Sequence, residues 1–458
     1  MSSFRSFRPA LAGAAMLFAP PLGAAPLSEA ESTALREEVR SLRARLAAIE
    51  ARLGGDPAAP PPSASTAPVA SPASAASATA MGWRGSPQFS SEDRSFKVKG
   101  RIQADVGHVS TPRGLNDRGL GTSTEMRRIR LGGEGRLGSG FGYKLELELS
   151  DNSVDLVDTF VTFEKGAWQI AIGNQNQFQS LDELIGDTTG SVMERAAFTD
   201  AFGFERRLGV AVQFRRGELL LQTGLFGDDI DALSNTADGP EGGDENDSFS
   251  VHGRAVYAPA IGGAQLHFGG SAHLRELNRL SETPIRYRQR PYLHSSNSQP
   301  LATAGLRLDR ELHYGLELAA VRGRWHMAAE AHWLDAIGPG ANARFFGGYG
   351  EIGWFLTNDA RPYRNGIFGG AKPSAPMGKG GIGALQINLR YDYLDLDDGP
   401  VRGGRQNALI AALVWTPIEY LRFNLNHAYL GYDGAALPAA GRRDYSLHVT
   451  GARVELDF

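Results

Sequence analysis

Apolar and polar residues alternate along this chain from residue 95 to the C-terminus, and this alternation constrains the fold more than any other feature. The last segment shows it without a break, because Val454, Leu456 and Phe458 are interleaved with Arg453, Glu455 and Asp457. Successive side chains of a β-strand point to opposite faces, so the pattern predicts strands with one apolar and one polar face. A single such segment could equally be the edge strand of a soluble sheet. A long series of them is typical of a barrel with lipid outside and water inside.

We count sixteen such segments, which begin near residues 95, 124, 141, 155, 167, 205, 217, 248, 264, 311, 323, 343, 379, 405, 418 and 445. An even number of antiparallel strands can close into a barrel that leaves no unpaired backbone edge in lipid. The longer connections are predicted to be outer loops, near 110–123, 175–204, 227–247, 274–310, 334–342, 358–378, 394–404 and 431–444. The predicted fold class is therefore all-β, a 16-stranded antiparallel transmembrane β-barrel over residues 95–458.

Residues 1–25 have the three parts of a secretory signal peptide. Arg5 and Arg8 supply the positive charge, Leu11–Ala19 is a short apolar run, and small residues at 23–25 supply a cleavage region. An uncleaved membrane helix is disfavoured because the apolar run is too short to span a bilayer. We therefore expect the rest of the chain to be exported.

Residues 28–53 repeat apolar side chains every seven positions, and residues 54–94 are rich in Pro, Ala and Ser. The heptad positions are occupied by Val39, Leu46 and Leu53 and by Leu35, Leu42 and Ile49. This period predicts an N-terminal periplasmic coiled-coil helix that favours oligomerisation. An amphipathic helix lying on a membrane is the weaker alternative, because the polar face mixes acidic and basic side chains. The segment 54–94 is predicted to be an extended linker.

The composition disfavours several chemistries. The chain has 0 Cys, which removes disulfides, thiolate metal sites and thiol catalysis, and its net charge of −4 argues against nucleic acid as a partner. The ten His show no metal-ligand spacing, and no nucleophile–base grouping stands out. The acidic stretch Asp238–Asp247 resembles a calcium loop only in composition, and cation bridging to lipopolysaccharide stays open for it. The sequence thus predicts no enzyme, no cofactor and no metal.

The stretch 175–204 is too long for a simple surface turn and has moderate helical character. In a sixteen-stranded barrel, a loop at this place can fold inward and narrow the lumen. The alternative is an outer loop packed against a neighbouring subunit. We expect the inward course, since long loops are usually functional.

Five arginines are the candidate anion ligands of the lumen. Arg128 and Arg130 share one face of the second strand, Arg195 lies in the stretch 175–204, and Arg207 lies on the inward face of the sixth strand. Arg206 would point at the wall unless the loop junction rotates it. Guanidinium groups stay charged and bind oxyanions bidentately, and rings of basic side chains favour anions in a pore. The alternatives are that such charges only solvate the wall, or that the loop carboxylates dominate and favour cations, namely Asp182, Glu183, Asp187 and Glu194.

Three groups of residues resemble a known family. They are Asp155–Asp158 with Ile172–Gln175, Met193–Ala197 and Arg206–Val210; Gly353–Thr357 with Arg361–Tyr363; and Leu389–Tyr391 with Gly403–Arg405. Together they resemble the phosphate-selective porin O and P family. The resemblance implies a trimeric, sixteen-stranded porin of the Gram-negative outer membrane, with an N-terminal periplasmic coil and basic residues along an anion path.

The resemblance implies passive conduction of small anions such as phosphate or polyphosphate through an arginine-lined constriction. The implied partners are a second and third copy of the chain, outer-membrane lipid and lipopolysaccharide, and peptidoglycan through the coil. The chain departs from the family pattern in having only six lysines and an acidic loop at 227–247. A non-selective general porin, or a barrel that tethers the cell wall, is therefore the alternative function.

Overall fold

The computed structural model describes Arg40 and residues 79–150, 152–227, 230, 248–277, 284–339 and 342–458. The predicted signal peptide and coiled coil, apart from Arg40, lie outside the described residues. The first part of the predicted linker and nearly all of the acidic loop lie outside them as well. Apart from Arg40, the described residues belong to one compact unit, Ala76–Phe458.

Sixteen long strands follow one another along the described chain, as the alternation predicts. They are β1 (Arg94–Val109), β2 (Gly121–Gly138), β3 (Phe141–Glu148), β4 (Asp155–Lys165), β5 (Trp168–Asn176), β6 (Arg206–Arg216), β7 (Leu219–Phe226), β8 (Phe249–Tyr257), β9 (Ala264–Glu276), β10 (Arg310–Arg322), β11 (Trp325–Ile337), β12 (Ala343–Phe355), β13 (Ala384–Asp398), β14 (Val401–Ile418), β15 (Leu421–Asp433) and β16 (Tyr445–Asp457). Each strand pairs antiparallel with the next, and β16 pairs with β1, as in Ala452 opposite Val106. The sheet is therefore a closed barrel, and the predicted fold class is confirmed.

The two faces of the wall differ as the pattern predicts. On β16, Val454 is 38% exposed, whereas Arg453 and Glu455 are 3% and 2% exposed. The outer face is thus apolar, as lipid requires, and the inner face carries polar and charged side chains. None of the helices in the described part of the chain combines the length and apolar character needed to cross a membrane.

The chain terminus closes the barrel at the rim where β1 begins and β16 ends, here called the terminal rim. The opposite end is called the loop rim. The backbone N–H of Phe458 donates to the carbonyl of Gly100, and the N–H of Gly100 donates to the carbonyl of Phe458, both at 2.9 Å. The phenyl ring occupies the space that a Cβ atom at position 100 would need. Glycine at this position thus leaves room for the terminal aromatic ring against β1.

The connection between β12 and β13 lies at the rim opposite to the one that the sequence predicts. Residues 358–378 are predicted to be an outer loop, but they lie at the terminal rim, since the backbone N–H of Met377 bonds the carbonyl of Pro417 near the end of β14. This connection is long because it folds into the barrel, where Arg361 and Phe368 are 4% and 1% exposed. The stretch 394–404 is also not a long loop, because β13 and β14 extend to Asp398 and from Val401.

Short elements complete the described chain. The predicted linker contains a hairpin, Ala80–Trp83 with Pro87–Ser90, which pairs onto the start of β1, so its last residues are ordered strands rather than extended coil. Further short pairs are Arg288–Gln289 with Leu301–Ala302 and Tyr363–Arg364 with Ile367–Phe368, and Ala260–Ile261 pairs with β9. Two short helices, α1 (Leu181–Leu184) and α2 (Ala197–Ala201), lie in the connection between β5 and β6.

Candidate functional site

The connection between β5 and β6, residues 177–205, folds into the lumen and is here called the inward loop. Leu181 and Phe198 are completely buried in it. The backbone N–H groups of Leu181 and Asp182 donate to the carboxylate of Glu330 on β11, at 2.9 and 2.6 Å. The backbone N–H of Ala197 donates to Asp392 on β13 at 3.1 Å. The loop leaves one wall and contacts strands farther round the barrel, so it follows the predicted inward course.

Polar contacts within the inward loop hold its two helices together. Ser180 caps α1, because its Oγ accepts a hydrogen bond from the backbone N–H of Glu183 at 3.3 Å. The carboxylate of Asp182 accepts from the backbone N–H of Ala196 at 2.9 Å and from the hydroxyl of Thr199 at 3.0 Å. These bonds join the first helix to the second and fix the segment between them.

Aromatic and histidine side chains anchor the C-terminal half of the inward loop. Phe198 stacks on His332 with 5.3 Å between the ring centroids and 6° between the planes. Phe202 and Phe204 pack edge-on or tilted against His332 and against His313. The row of ring contacts continues along the wall through His273 to His252. Neither metal-ligand spacing nor a nucleophile–base grouping among the ten His pointed to this row, although its four positions alternate inward on neighbouring strands.

Asp187, in the middle of the inward loop, is surrounded by four arginines. One carboxylate oxygen lies 3.3 Å from Arg101 Nη1, 3.1 Å from Arg128 Nε and 3.1 Å from Arg130 Nη1. The other oxygen lies 3.1 Å from Arg195 Nη2. Burial alone would raise the pKa of Asp187, but the surrounding guanidinium charges hold that pKa well below its usual range. Asp187 is therefore ionised at neutral pH. Its carboxylate links the arginines of β1, β2 and the inward loop.

Three of the five predicted site residues thus meet at one carboxylate. Arg128, Arg130 and Arg195 share Asp187, and Arg195 also pairs with Glu183 at 2.9 Å.

Arg206 and Arg207 lie apart from this cluster. Arg206 Nε donates to Asp158 on β4 at 2.6 Å, so its side chain turns inward at the loop junction instead of facing the wall. Arg207 is 3% exposed and lies 4.0 Å from Glu205. Arg206 is still linked to the Asp187 cluster through a row of alternating charges, formed by Asp158, Lys144, Glu146 and Arg130. The five predicted arginines are therefore all inside the barrel, but they do not form one ring.

Other inward charges, which the sequence analysis did not single out, also hold the inward loop. Arg390 on β13 bonds Asp182 at 3.2 Å and Glu351 at 2.7 Å. Arg453 on β16 bonds Glu194 at 2.5 Å and Asp105 at 2.7 Å. Two carboxylates of the loop, the buried Asp182 and the partly exposed Glu194, are thus matched by arginines of the wall. The alternation of β13 and β16 places Arg390 and Arg453 on the lumen side, so their orientation could be predicted from the sequence. Their loop partners could be identified only from the course of the inward loop.

A β-bulge brings an additional arginine into the lumen. The register between β1 and β2 shifts at Gln103 and Ala104, which pair with Arg128 and Met126 and leave Arg127 without a partner residue on β1. A bulge changes the phase of the side chains, so Arg127 and Arg128 both face the lumen although they are adjacent. Simple alternation places Arg127 on the lipid side, which is why the sequence analysis missed it.

Two charged cavities lie within the barrel and share Gly190 and Arg361 as lining residues. The first has a volume of about 250 Å³ and is lined by residues that include Arg127, Arg128, Asp187, Arg195, Arg290 and His294. The second, of about 240 Å³, lies toward the terminal rim and is lined by residues that include Lys97, Lys99, Lys372, Arg422 and Glu455. The inward loop therefore separates two polar spaces and contributes to the walls of both.

Most of the carboxylates in these cavities are paired with arginine. Among the residues that the structure describes, Arg127, Arg290 and Lys97 have no ion-pair partner, whereas Asp187, Glu194 and Glu455 each have at least one arginine partner. The same part of the chain contains no group of three or more His, Cys, Asp or Glu side chains arranged to hold a metal ion. The paired and unpaired charges along the two cavities suit the passage or binding of charged solutes.

Known proteins share both the sequence pattern and the architecture. Residues 96–458 match the family model described as phosphate-selective porin O and P. A protein of Caulobacter vibrioides, described as uncharacterized, is 59% identical over 450 residues, which cover 94% of this chain and 91% of that relative.

Solved structures show the same fold at much lower identity. Outer-membrane expressed OmpT of Vibrio cholerae is 8% identical with a TM-score of 0.51, and the match covers 81% of this chain and 99% of that one. OprB of Pseudomonas putida is 10% identical with a TM-score of 0.52, and the match covers 79% and 94%. At these identities the likeness concerns the barrel fold alone.

Proposed function

Because the chain belongs to the phosphate-selective porin O and P family, we propose that this outer-membrane barrel is a passive channel for small anions such as phosphate or polyphosphate. The solutes pass the inward loop, where Arg128, Arg130 and Arg195 line the narrow part of the path. Arg206 and Arg207 extend the basic surface along the neighbouring wall. Family and fold support a channel rather than an enzyme, since no step requires covalent chemistry.

The observation that carries this proposal is the position of the inward loop between two cavities that share Gly190 and Arg361. In the proposed path, a solute that crosses the barrel passes this boundary. On either side it meets basic side chains that have no ion-pair partner among the described residues, namely Arg127 and Arg290 in the first cavity and Lys97 in the second. Such unpaired positive charges favour anions over cations in a pore.

A second candidate function is a general porin with little charge selectivity. It is favoured by the pairing of Arg130 with Glu146 and Glu148 and of Arg206 with Asp158, because each pair is nearly neutral to a passing ion. The two functions differ in the strength of the anion preference and agree on passive conduction.

The proposed assembly is a homotrimer in the outer membrane of a Gram-negative cell, with the N-terminal segment in the periplasm. The heptad pattern of residues 28–53 supports oligomerisation. The start of β1 lies at the same rim as most of the short turns, which is the periplasmic side of bacterial outer-membrane barrels and supports a periplasmic N-terminal segment. Outer-membrane lipid and lipopolysaccharide would surround the barrel, and the coil would reach peptidoglycan.

Conduction by the full chain in planar bilayers tests the proposed function. We expect stable current steps, and in a KCl gradient a reversal potential whose sign shows preferential passage of chloride. Replacing chloride by phosphate or pyrophosphate should preserve an anion current. A reversal potential near zero would favour the general porin, and the absence of current steps would contradict both functions.

A further inference from the structure

Four inward histidines lie side by side on β8 to β11 and are here called the histidine row, namely His252, His273, His313 and His332. Adjacent ring centroids of the row lie 4.4, 4.9 and 5.8 Å apart, and no residue of the row is more than 4% exposed. One ring nitrogen of each histidine has no hydrogen-bond partner within the described part of the chain. The row therefore contains four neighbouring groups that can each accept a proton.

The inward loop packs directly on the histidine row. Phe198 and Phe204 of the loop lie on His332, with 5.3 and 4.9 Å between the ring centroids. Gln179, near the start of the loop, forms a hydrogen bond with His273 Nδ1. Phe204 and other residues of the C-terminal half of the loop also line the first cavity. This half of the loop therefore lies between the histidine row and the first cavity.

The surroundings of the histidine row offer little compensation for positive charge. The carboxylate of Glu311 lies 3.9 Å from His313 Nε2. This carboxylate also accepts from the hydroxyl of Tyr287 at 2.5 Å and pairs with Arg275 at 3.3 Å. Protonated imidazoles in the row would therefore repel one another in a place with little water, which makes their charge costly. The other groups near the row are Arg207 on β6, Glu330 on β11, which accepts backbone N–H groups of the loop, and the uncharged loop side chains of Gln179, Phe198, Phe202 and Phe204.

We propose that the histidine row holds the inward loop against β8 to β11 only while its imidazoles are neutral, and that acid closes the channel by driving the C-terminal half of the loop into the first cavity. The inference rests on the proposed conduction and adds a regulation of the same path. A released loop exposes the row to water, so the released state takes up protons more readily than the docked state. Proton uptake by the row therefore favours release. The loop moves toward the cavity because the wall lies on its other side.

Two other roles make different predictions. If the row is only a packing surface, its replacement by an uncharged polar side chain changes the current to the same degree at every pH. If acid acts instead on carboxylates that hold the loop, such as Glu330, the fall of the current in acid persists after the histidines are replaced. The pH profile of a variant with two replaced histidines therefore separates the three roles.

The test compares three full-length proteins in planar bilayers between about pH 7 and about pH 4.5, on both sides of the ordinary imidazole pKa of about 6.5. They are the wild type, the double variant His273→Gln with His313→Gln, and the control His427→Gln, whose ring is exposed on the outer face of β15. We expect the wild type and His427→Gln to lose most of their current in acid and to regain it at neutral pH. The double variant should keep the same current at both pH values.

A second measurement follows the loop without any need for current. Ala201 is 5% exposed in α2, and the chain has 0 Cys, so Ala201→Cys supplies a single buried thiol on the loop. In acid, a pyridyl disulfide should label this thiol faster in the otherwise wild-type protein than in the double variant. Comparison of the two backgrounds at one pH cancels the lower reactivity of thiols in acid, and heat-modifiable gel mobility checks that the barrel stays folded.

The two measurements separate the regulation from the conduction. Faster labelling without current steps would support the release of the loop and contradict the proposed channel. The inference is overturned if the double variant loses its current in acid as the wild type does, or if acid labels Ala201→Cys equally fast in both backgrounds.

Discussion

At the scale of single residues, the charged side chains of the lumen form two groups. One group forms ion pairs that hold the inward loop, and the other has no ion-pair partner among the described residues and can interact with a solute. Arg130 and Arg390 bond two or more carboxylates, whereas Arg127 faces a cavity without an ion-pair partner among the described residues. The alternating pattern predicted that Arg128, Arg130 and Arg207 face inward. It could not predict Arg127, because the bulge that turns this side chain leaves no mark in the sequence. Nor could it predict that the predicted arginines are paired, since their partners come from distant strands and from the loop.

Replacement of Arg127 by Gln should lower the anion preference of the channel and leave folding unchanged. The reason is that this side chain contributes charge to the cavity, while no ion pair of the described structure depends on it. Reversal potentials in a KCl gradient measure the anion preference, and heat-modifiable mobility in gel electrophoresis measures the folded fraction. Arg136→Gln, on the exposed end of the same strand, is the matched control. Equal effects of the two substitutions would show that Arg127 contributes no more to the anion preference than Arg136 does.

Glu183 should make the anion preference depend on pH. Burial raises the pKa of its carboxyl group to about 7, although Arg195 and Arg206 oppose the shift, while Asp187 and Asp182 add to it. Above pH 7 the carboxylate is charged and opposes anions, and below pH 7 it becomes neutral. We therefore expect the anion preference to rise as the pH falls from 8 to 6 (a window of about one unit on each side of that pKa).

The Glu183→Gln variant isolates this effect. It should show the stronger anion preference at both pH values and a flatter pH dependence than the wild type. Reversal potentials at the two pH values provide the measurement. A variant that titrates as steeply as the wild type would assign the pH dependence to other groups.

At the scale of elements, the inward loop is held by packing as well as by charge. Phe198 is completely buried and stacks on His332, so its loss removes a large apolar contact. Phe198→Ala should cost about 3–5 kcal/mol of stability, the range typical of a buried Phe-to-Ala change. It should also increase single-channel conductance, because the loop can then move toward the wall.

Thermal unfolding and single-channel recordings check this expectation against Phe249→Ala, which removes an aromatic ring that is 45% exposed on the outer face of β8. If both substitutions have the same effect, the aromatic contact does not position the loop.

The number, order and approximate start of the strands were predictable, because each strand carries its own alternation of apolar and polar side chains. The side of the membrane on which a connection lies was less predictable. The length of the connection predicts an outer loop at residues 358–378, whereas these residues lie at the terminal rim. The connection between β12 and β13 is long because part of it enters the lumen, where Arg361 Nη1 lies 3.1 Å from the carboxylate of Glu351. A long connection can form at either rim when the barrel interior can bury it.

At the scale of the whole molecule, closure of the barrel depends on the last strand and the terminal residue. Gly100→Ala should reduce the folded fraction, because the added methyl group occupies the space of the Phe458 ring. Gly350→Ala is the control, since position 350 lies in β12 with open space where its Cβ atom would be. Heat-modified gel mobility after refolding compares the two. Equal folded fractions would show that the contact between Phe458 and Gly100 is dispensable for closure.

In the proposed function, solutes cross the barrel past the inward loop, at the boundary where Gly190 lines both cavities. The chain has 0 Cys, so Gly190→Cys places a single reactive thiol at this point. The most direct measurement is the current through this variant before and after a negatively charged thiol reagent. We predict a stepwise fall of the current and a weaker anion preference after modification, while the wild type does not respond. A labelled thiol that leaves both the current and the selectivity unchanged would contradict the account.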